Sequence, residues 1–162
     1  MEYPKVRIGA VEDVDGMMKL ALAASDENGL TKANPAKLLN EIWAGLTRNH
    51  GIVGIIGEPG TDFEATILLR AEPLWYSDEV SLIERAIFVH PEFRSAKGGR
   101  ARILCEFAKT VADTLNLPLV IGILSSHRAK GKVALYERQF GQQSGAYWIY
   151  NARTGEHSNT EH

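Results

Sequence analysis

The spacing of apolar residues divides the first part of the chain into one strand and two helices. Residues 6–10 alternate between apolar and polar or small side chains, which is the period of a half-buried strand. Apolar positions three and four residues apart predict a first helix over 14–22, with Asp13 available as its cap. A second helix begins at Asn34, because an asparagine cap followed by Pro35 is typical of a first turn.

The middle of the chain is rich in β-forming residues. Residues 51–58 and 63–70 lie on either side of the turn-forming sequence Pro-Gly-Thr-Asp at 59–62. This arrangement predicts a hairpin. Residues 81–90 predict a third long strand.

The last part of the chain alternates between helices and short strands. An apolar stripe predicts a helix over 98–116, and a second helix follows over 130–140. The nearly all-apolar residues 119–124 predict a strand buried on both faces, and 146–150 a last strand. The order β-α-α-β-β-β-α-β-α-β predicts an α/β fold with a mixed central sheet and helices on both faces.

The composition bounds the kind of protein. A chain of 162 residues fits one domain, here 1–151, followed by a polar C-terminal tail at 152–162. The net charge of -2 offers no bulk positive field for nucleic acid or anionic lipid. With one cysteine, no signal-peptide pattern and no apolar run of about 20 residues, a cytoplasmic protein is expected.

The single cysteine and the histidines carry no recognisable site pattern. Cys105 lies within the predicted long helix, where a buried thiol usually behaves as an inert small apolar group. The five histidines are scattered without the spacing of metal ligands, so no metal site is predicted.

Residues 87–104 contain the most informative pattern. A hydrophobic strand leads into a basic, glycine-containing turn and directly into an amphipathic helix. Helix N-termini attract phosphate, and glycine lets the backbone approach an anion. Arg94, Lys97 and Arg100 add positive charge, so a pyrophosphate is a natural ligand. The alternative is an ordinary strand-to-helix turn with solvated basic residues. The spacing matches neither a Walker loop nor a Rossmann fingerprint.

Three stretches resemble the GNAT superfamily of N-acetyltransferases. Residues 89–94, VHPEFR, resemble the family's valine-x-proline-glutamate-x-arginine strand end. Residues 94–101, RSAKGGRA, resemble its glycine loop, although the first family glycine falls on Lys97. Residues 134–141, ALYERQFG, resemble its later helix with the last two residues inverted. The order of elements agrees with this GNAT fold over about residues 6–150.

The resemblance implies that the chain binds acetyl-coenzyme A. In the family, the strand before the loop pairs its backbone with the pantetheine arm, a role that falls here on Ile87, Phe88 and Val89. A backbone N–H near Val89 would stabilise the developing oxyanion. The residues implied in pyrophosphate binding are Arg94, Ser95, Ala96, Lys97, Gly98, Gly99, Arg100 and Ala101.

Two residues are candidates for proton transfer. Tyr136 matches the position of the family's frequent acid, which protonates the thiolate of coenzyme A. The alternative is a core role, because Val133, Tyr136 and Phe140 share one helical face. Glu84 is the candidate base that deprotonates the amine, and the alternative is a solvated edge charge beside Arg85.

The resemblance implies direct transfer of an acetyl group to a primary amine, on a small molecule or a peptide. The acceptor is expected to enter between the acidic segments 25–33 and 75–79. No nucleic-acid or membrane partner is expected, and a homodimer is considered only because such domains often form one. The alternatives are a non-catalytic acyl-coenzyme A-binding regulatory module and an interaction domain with a degenerate loop.

Overall fold

The computed structural model describes residues 5–94, 99–124 and 129–151. The strands are β1 (Arg7–Ile8), β2 (Gly51–Ile56), β3 (Ala65–Pro73), β4 (Val80–Val89) and β5 (Leu119–Val120). The helices are α1 (Val14–Asn28), α2 (Pro35–Leu46), α3 (Arg100–Leu115) and α4 (Ala129–Phe140). Single turns of 3-10 helix at Val11–Asp13 and Pro91–Phe93 precede α1 and follow β4.

The five strands form one mixed sheet in the order β1-β2-β3-β4-β5. β1 to β4 pair antiparallel with their neighbours, whereas β5 runs parallel to β4. α1 and α2 cover one face, where they form one apolar cluster with β2 and β3, and α3 covers the other. α4 packs against α3. The predicted α/β class, mixed sheet and helices on both faces are confirmed.

Each face of the sheet has its own buried core. The core under α1 and α2 contains Met17, Leu20, Ile42, Leu46, Val53, Ile55, Phe63 and Leu68. The core under α3 contains Ile56, Ala65, Ile67, Leu69, Leu82, Leu104, Ala108 and Ala112. α3 lies close to the sheet at Gly54, where a Cβ atom would meet Phe107 Cε1 at 2.7 Å. A glycine at this position therefore lets α3 approach the sheet and sets the place of its N-terminus.

A bulge changes the course of β4. Leu69 pairs with Glu84 while Leu68 pairs with Ala86, so Arg85 is an extra residue on β4. Such a bulge bends a strand and increases its twist. β5 pairs with β4 only at Leu82 and Ile83, and no described residue pairs with that edge of β4 farther along. The ladder between β4 and β5 therefore ends at Ile83, before the bulge.

The start of α2 agrees with the sequence prediction, but the start of α1 does not. Asn34 Oδ1 accepts hydrogen bonds from the N–H groups of Ala36 and Lys37, as a helix cap does. The Asp13 side chain makes no cap hydrogen bond to α1. It accepts instead from the Ala10 N–H and from both terminal nitrogens of Arg7, because it is buried beside that guanidinium.

Two predictions about the last part of the chain are wrong. No strand forms at 146–150, where Tyr147, Trp148 and Tyr150 are 80%, 88% and 91% exposed. Aromatic residues favour strands, but a strand also needs a neighbour to pair with, and the described chain provides none there. Residues 119–124 are not buried on both faces, because only 119–120 pair and β5 lies at the sheet edge. The order observed is β-α-α-β-β-β-α-β-α.

Among the described residues, no helix has both the length and the apolar character needed to cross a membrane.

Candidate active site

The β4–β5 ladder ends at Ile83, and the region between the edge of β4 from Glu84 to Val89 and residues 121–124 is called the wedge below. Ile87 and Val89 pack against the core under α3, whereas Phe88 packs against the core under α1 and α2. Because the side chains point to the two faces, the backbone edge of β4 faces the wedge. Its N–H and C=O groups need partners, and an extended ligand can supply them as an added strand does. These three residues are the predicted pantetheine site.

α3 begins beside the end of β4. Gly99 precedes it with a φ of 53°, in the left-handed region that favours glycine, and among the described residues no side-chain cap hydrogen bond is made at this helix start. The first N–H groups of a helix have no intrahelical acceptor and carry partial positive charge. The predicted phosphate-binding backbone at Gly99, Arg100 and Ala101 therefore lies at a helix start, a position that favours an anion. The predicted Ser95, Ala96, Lys97 and Gly98 lie outside the described residues.

Arg94, predicted to contact phosphate, is held by protein groups. Its Nε donates to the Val89 carbonyl oxygen at 2.9 Å. Its Nη1 donates to Glu27 Oε1 at 2.7 Å, and its Nη2 donates to the other oxygen of the same carboxylate. The guanidinium also lies over the Phe88 ring, 5.2 Å from its centroid. Its charge is therefore matched by Glu27 of α1.

Arg100, the other predicted phosphate contact in the described chain, has a similar setting. Its Nη2 donates to Glu64 Oε1 at 2.7 Å. Its guanidinium lies 4.7 Å from the centroid of the Phe93 ring. An arginine–glutamate pair thus flanks each end of the predicted pyrophosphate loop, and both side chains are directed at carboxylates in this structure.

Glu84 lies where the wedge begins, and the structure brings it together with Tyr136 and Cys105. Burial raises the pKa of the Glu84 carboxyl to about 7, while a hydrogen bond from the Gly122 backbone and the charge of Lys132 oppose the rise. Glu84 is therefore a partly buried carboxyl at the base of the wedge. The alternative of a solvated edge charge does not describe it. A carboxyl that titrates near pH 7 suits general base catalysis.

Tyr136 projects from α4 toward the same cluster. Burial raises its pKa above the ordinary range, and the negative charge of Glu84 adds to the rise. The phenol therefore keeps its proton at neutral pH. The ring packs edge-on against Phe140 at 5.7 Å. None of the residues of α4 is fully buried, and Tyr136 belongs to neither core cluster.

Cys105 completes the cluster from α3. Its side chain is fully buried, and burial is the main reason that its pKa rises to about 12. The thiol is therefore protonated at neutral pH and unreactive as a nucleophile, as expected from its place in the helix.

The sequence analysis missed two groups at this site. Gly122 donates its backbone N–H to Glu84, and Lys132 acts on the same carboxylate through its charge. No sequence pattern marks Gly122, because its contact with Glu84 depends on where β5 ends. Lys132 could have been found from the sequence, since it precedes Tyr136 by four residues and thus lies on the same helical face.

The two expected acceptor segments differ from the prediction in one respect. Trp75 and Tyr76 contact each other at 5.4 Å between ring centroids. They are 94% and 69% exposed, so neither ring belongs to the core. Glu27, expected among the acidic residues that attract an amine, is paired with Arg94 instead.

Comparison with protein-family models gives no match, and comparison with curated proteins gives none either.

Solved structures, in contrast, match nearly the whole chain. A ribosomal-protein-alanine N-acetyltransferase from Brucella melitensis is 13% identical with a TM-score of 0.68, over 92% of this chain and 99% of that one. A predicted acetyltransferase with acetyl-CoA from Clostridium acetobutylicum is 16% identical with a TM-score of 0.66, over 90% and 94%. The aminoglycoside 6'-N-acetyltransferase from Acinetobacter baumannii is 13% identical with a TM-score of 0.63, over 90% and 95%. The chain shares the fold of these acetyltransferases.

Proposed function

We propose that this chain, which has the fold of the GNAT acetyltransferases, binds acetyl-coenzyme A and transfers its acetyl group to a primary amine. One observation carries the proposal. The edge of β4 from Glu84 to Val89, which pairs with no described strand, ends beside the helix start at Gly99, so one extended ligand with a pyrophosphate can use both. A base candidate and an acid candidate meet at the inner end of the same wedge.

The residues present fit the parts of acetyl-coenzyme A. The edge of β4 at Ile87, Phe88 and Val89 would hold the pantetheine arm, and the backbone at Gly99 and Ala101 part of the pyrophosphate. The bound molecule would supply an acetyl group activated as a thioester, which a neutral amine can attack directly. A backbone N–H near Val89 would stabilise negative charge on the thioester oxygen.

Glu84 would accept the proton of the amine. An amine attacks only when neutral, and a free lysine amine has a pKa of about 10.4, so most of it is protonated at neutral pH. The Glu84 carboxyl has a pKa near 7, so part of it is ionised at neutral pH. The ionised form can accept the proton of the amine. Such assistance is typically worth about 10² to 10⁴ in rate.

Tyr136 would donate a proton to the coenzyme A thiolate that leaves. Its raised pKa keeps the phenol protonated across the physiological range. Desolvation makes the leaving thiolate more basic, so the nearby phenol would donate its proton to it. Glu84, which would then carry the proton of the amine, would return a proton to the tyrosinate. Tyr136 therefore acts as an acid, while Glu84 acts as a base.

The acceptor belongs to the amine class, as a small molecule or as a peptide. Solved structures with the same fold are described as an aminoglycoside 6'-N-acetyltransferase and as a ribosomal-protein-alanine N-acetyltransferase. The former supports a small molecule, and the latter supports a protein N-terminus. Asp26, Asp78 and Glu79 give the segments 25–33 and 75–79 an acidic character that suits a cationic amine.

Binding of acetyl-coenzyme A by calorimetry tests the first half of the proposal. Gly99→Glu should weaken binding at least about tenfold, because glutamate strains the left-handed backbone and places a negative charge at the anion site. Gly141→Glu is the matched control, since Gly141 also has a positive φ, of 88°, and has open space around it. Wild-type protein that binds no acetyl-coenzyme A would contradict the proposal.

Turnover of Tyr136→Phe separates an enzyme from a non-catalytic acyl-coenzyme A-binding module. Removal of the phenolic hydroxyl should lower kcat by about 10² while acetyl-coenzyme A affinity stays within about twofold, because the hydroxyl acts on the leaving group alone. The measurement is release of free thiol with a panel of amines. If wild-type protein binds acetyl-coenzyme A but acetylates none of these amines, the regulatory module is the better interpretation.

A further inference from the structure

The last turn of α1 connects the two sides of the wedge. Glu27 binds Arg94, which follows β4 and is 67 positions away along the chain. The next residue, Asn28, donates its Nδ2 to the carbonyl oxygen of Leu124, which follows β5, at 3.2 Å and 96 positions away. Two neighbouring residues on one helix therefore contact both segments that diverge from the sheet.

The Glu27–Arg94 contact has the features of a strong ion pair. The two carboxylate oxygens accept from the two terminal nitrogens of the guanidinium, which is a bidentate arrangement. The side chains of Arg94 and Glu27 are only 18% and 22% exposed, so solvent screens the pair less than a surface pair. Arg94 is also held by the Val89 carbonyl and the Phe88 ring, which fixes where the pair lies.

α1 is a rigid base for this contact. Its side chains Met17 and Leu20 are almost completely buried in the core on that face of the sheet. Gly29, with a φ of 63°, follows α1 and begins the segment that leads to α2. Under the proposed function that segment borders the acceptor, so a contact at the end of α1 links the acceptor side to the cofactor side.

We propose that Glu27 is a positioning residue that sets the opening of the wedge through Arg94. The proposal rests on the proposed function, because the wedge is where coenzyme A would bind. Glu27 holds the guanidinium against Val89 and Phe88, so the end of β4 and the start of the loop keep one geometry. By reciprocity, a ligand in the wedge should also stabilise the end of α1 and residues 29–34.

The proposal differs from one in which Arg94 binds phosphate directly. If Arg94 were a phosphate ligand restrained by Glu27, neutralising Glu27 would release its charge and strengthen coenzyme A binding. If Glu27 positions the loop through Arg94, neutralising it weakens binding. The sign of the change therefore decides between the two roles.

The test is calorimetry with coenzyme A on the wild-type chain, Glu27→Gln, Arg94→Gln and the double variant at fixed salt. Each single variant should raise the Kd about tenfold, and the double variant should be no worse than the weaker-binding single variant because both remove one interaction. Asp15→Asn is the control, since it neutralises an exposed carboxylate of the same helix at its other end. An unchanged or lower Kd for Glu27→Gln overturns the proposal.

Hydrogen exchange without ligand keeps this test separate from the proposed function. Glu27→Gln should speed amide exchange at the end of β4 and at 121–124, on both sides of the wedge, and leave β2 unchanged. If the wild-type chain binds no coenzyme A, the proposed function fails, and the exchange result still decides whether Glu27 positions the wedge. Exchange unchanged at both segments overturns that role.

Discussion

Glu84 shows how burial and position combine at a single residue. It lies on β4 beside the bulge at Arg85, at the point where β4 leaves its neighbour β5. Removal from water disfavours its charged form, and the N–H of Gly122 and the charge of Lys132 only partly compensate. The result is a carboxyl with a pKa of about 7 in a place that a ligand can reach.

The pKa of Glu84 predicts the pH dependence of the reaction. The rate at saturating acetyl-coenzyme A should rise as pH increases through about 7, because only the carboxylate can accept a proton. Glu84→Gln should lower the rate by about 10² and should keep only the pH dependence that the amine itself contributes. Parallel pH profiles for the two proteins would show that another group or water is the base.

The same group predicts a change of stability with pH. The folded pKa is raised from 4.5 to about 7, so the native state holds this proton more tightly than the unfolded chain. The contribution is therefore complete below pH 4.5 and is lost as pH rises to about 7. The loss should reach about 2 kcal/mol, below the full linkage value because the side chain keeps some contact with solvent. Urea unfolding of Glu84→Gln should lack this decline.

At the scale of elements, short-range signals located most of the helices and strands. The Asn34-Pro35 start of α2 and the turn between β2 and β3 agree with the sequence prediction, because each depends on a few adjacent residues. The long helix predicted over 98–116 is α3 at Arg100–Leu115. Boundaries at β3 and β5 were less accurate, because pairing with other strands decides where a strand ends.

The segment 146–150 shows the limit of β propensity. Alanine, tyrosine, tryptophan and isoleucine in sequence predicted a strand, but the segment is unpaired and its aromatic rings are exposed. Trp148→Ser should therefore change the free energy of unfolding by less than about 0.5 kcal/mol. Leu104→Ala, which empties a fully buried site in α3, should cost about 3 kcal/mol in the same urea titration.

A larger effect of Trp148→Ser would contradict the exposed position of that segment. If the loss grows with protein concentration, a second copy covers the aromatic residues, as a homodimer would allow. If the loss is independent of concentration, the segment packs against its own chain. Light scattering of the same samples distinguishes the two results.

At the scale of the whole molecule, the proposed site depends on groups from across the chain. Four elements contribute one part each: Glu27 comes from α1, Glu84 from β4, the helix start at Gly99 from α3 and Tyr136 from α4. The sheet order brings these parts together, because β4 lies between β3 and β5 with helices on both faces. The family resemblance named Gly99 and Tyr136, Glu84 was a candidate from its place on the strand, and no cofactor-loop role was assigned to Glu27.

The sequence by itself determined most of the elements, the mixed α/β class and the segment that joins β4 to α3. These follow from periodicity, caps, turns and glycines, which act over a few neighbouring residues. Only the tertiary structure decided that Arg94 and Arg100 face Glu27 and Glu64, that Glu84 is partly buried, and that residues 146–150 stay unpaired. Those outcomes depend on residues 36 or more positions apart, and periodicity carries no information about which distant partners meet.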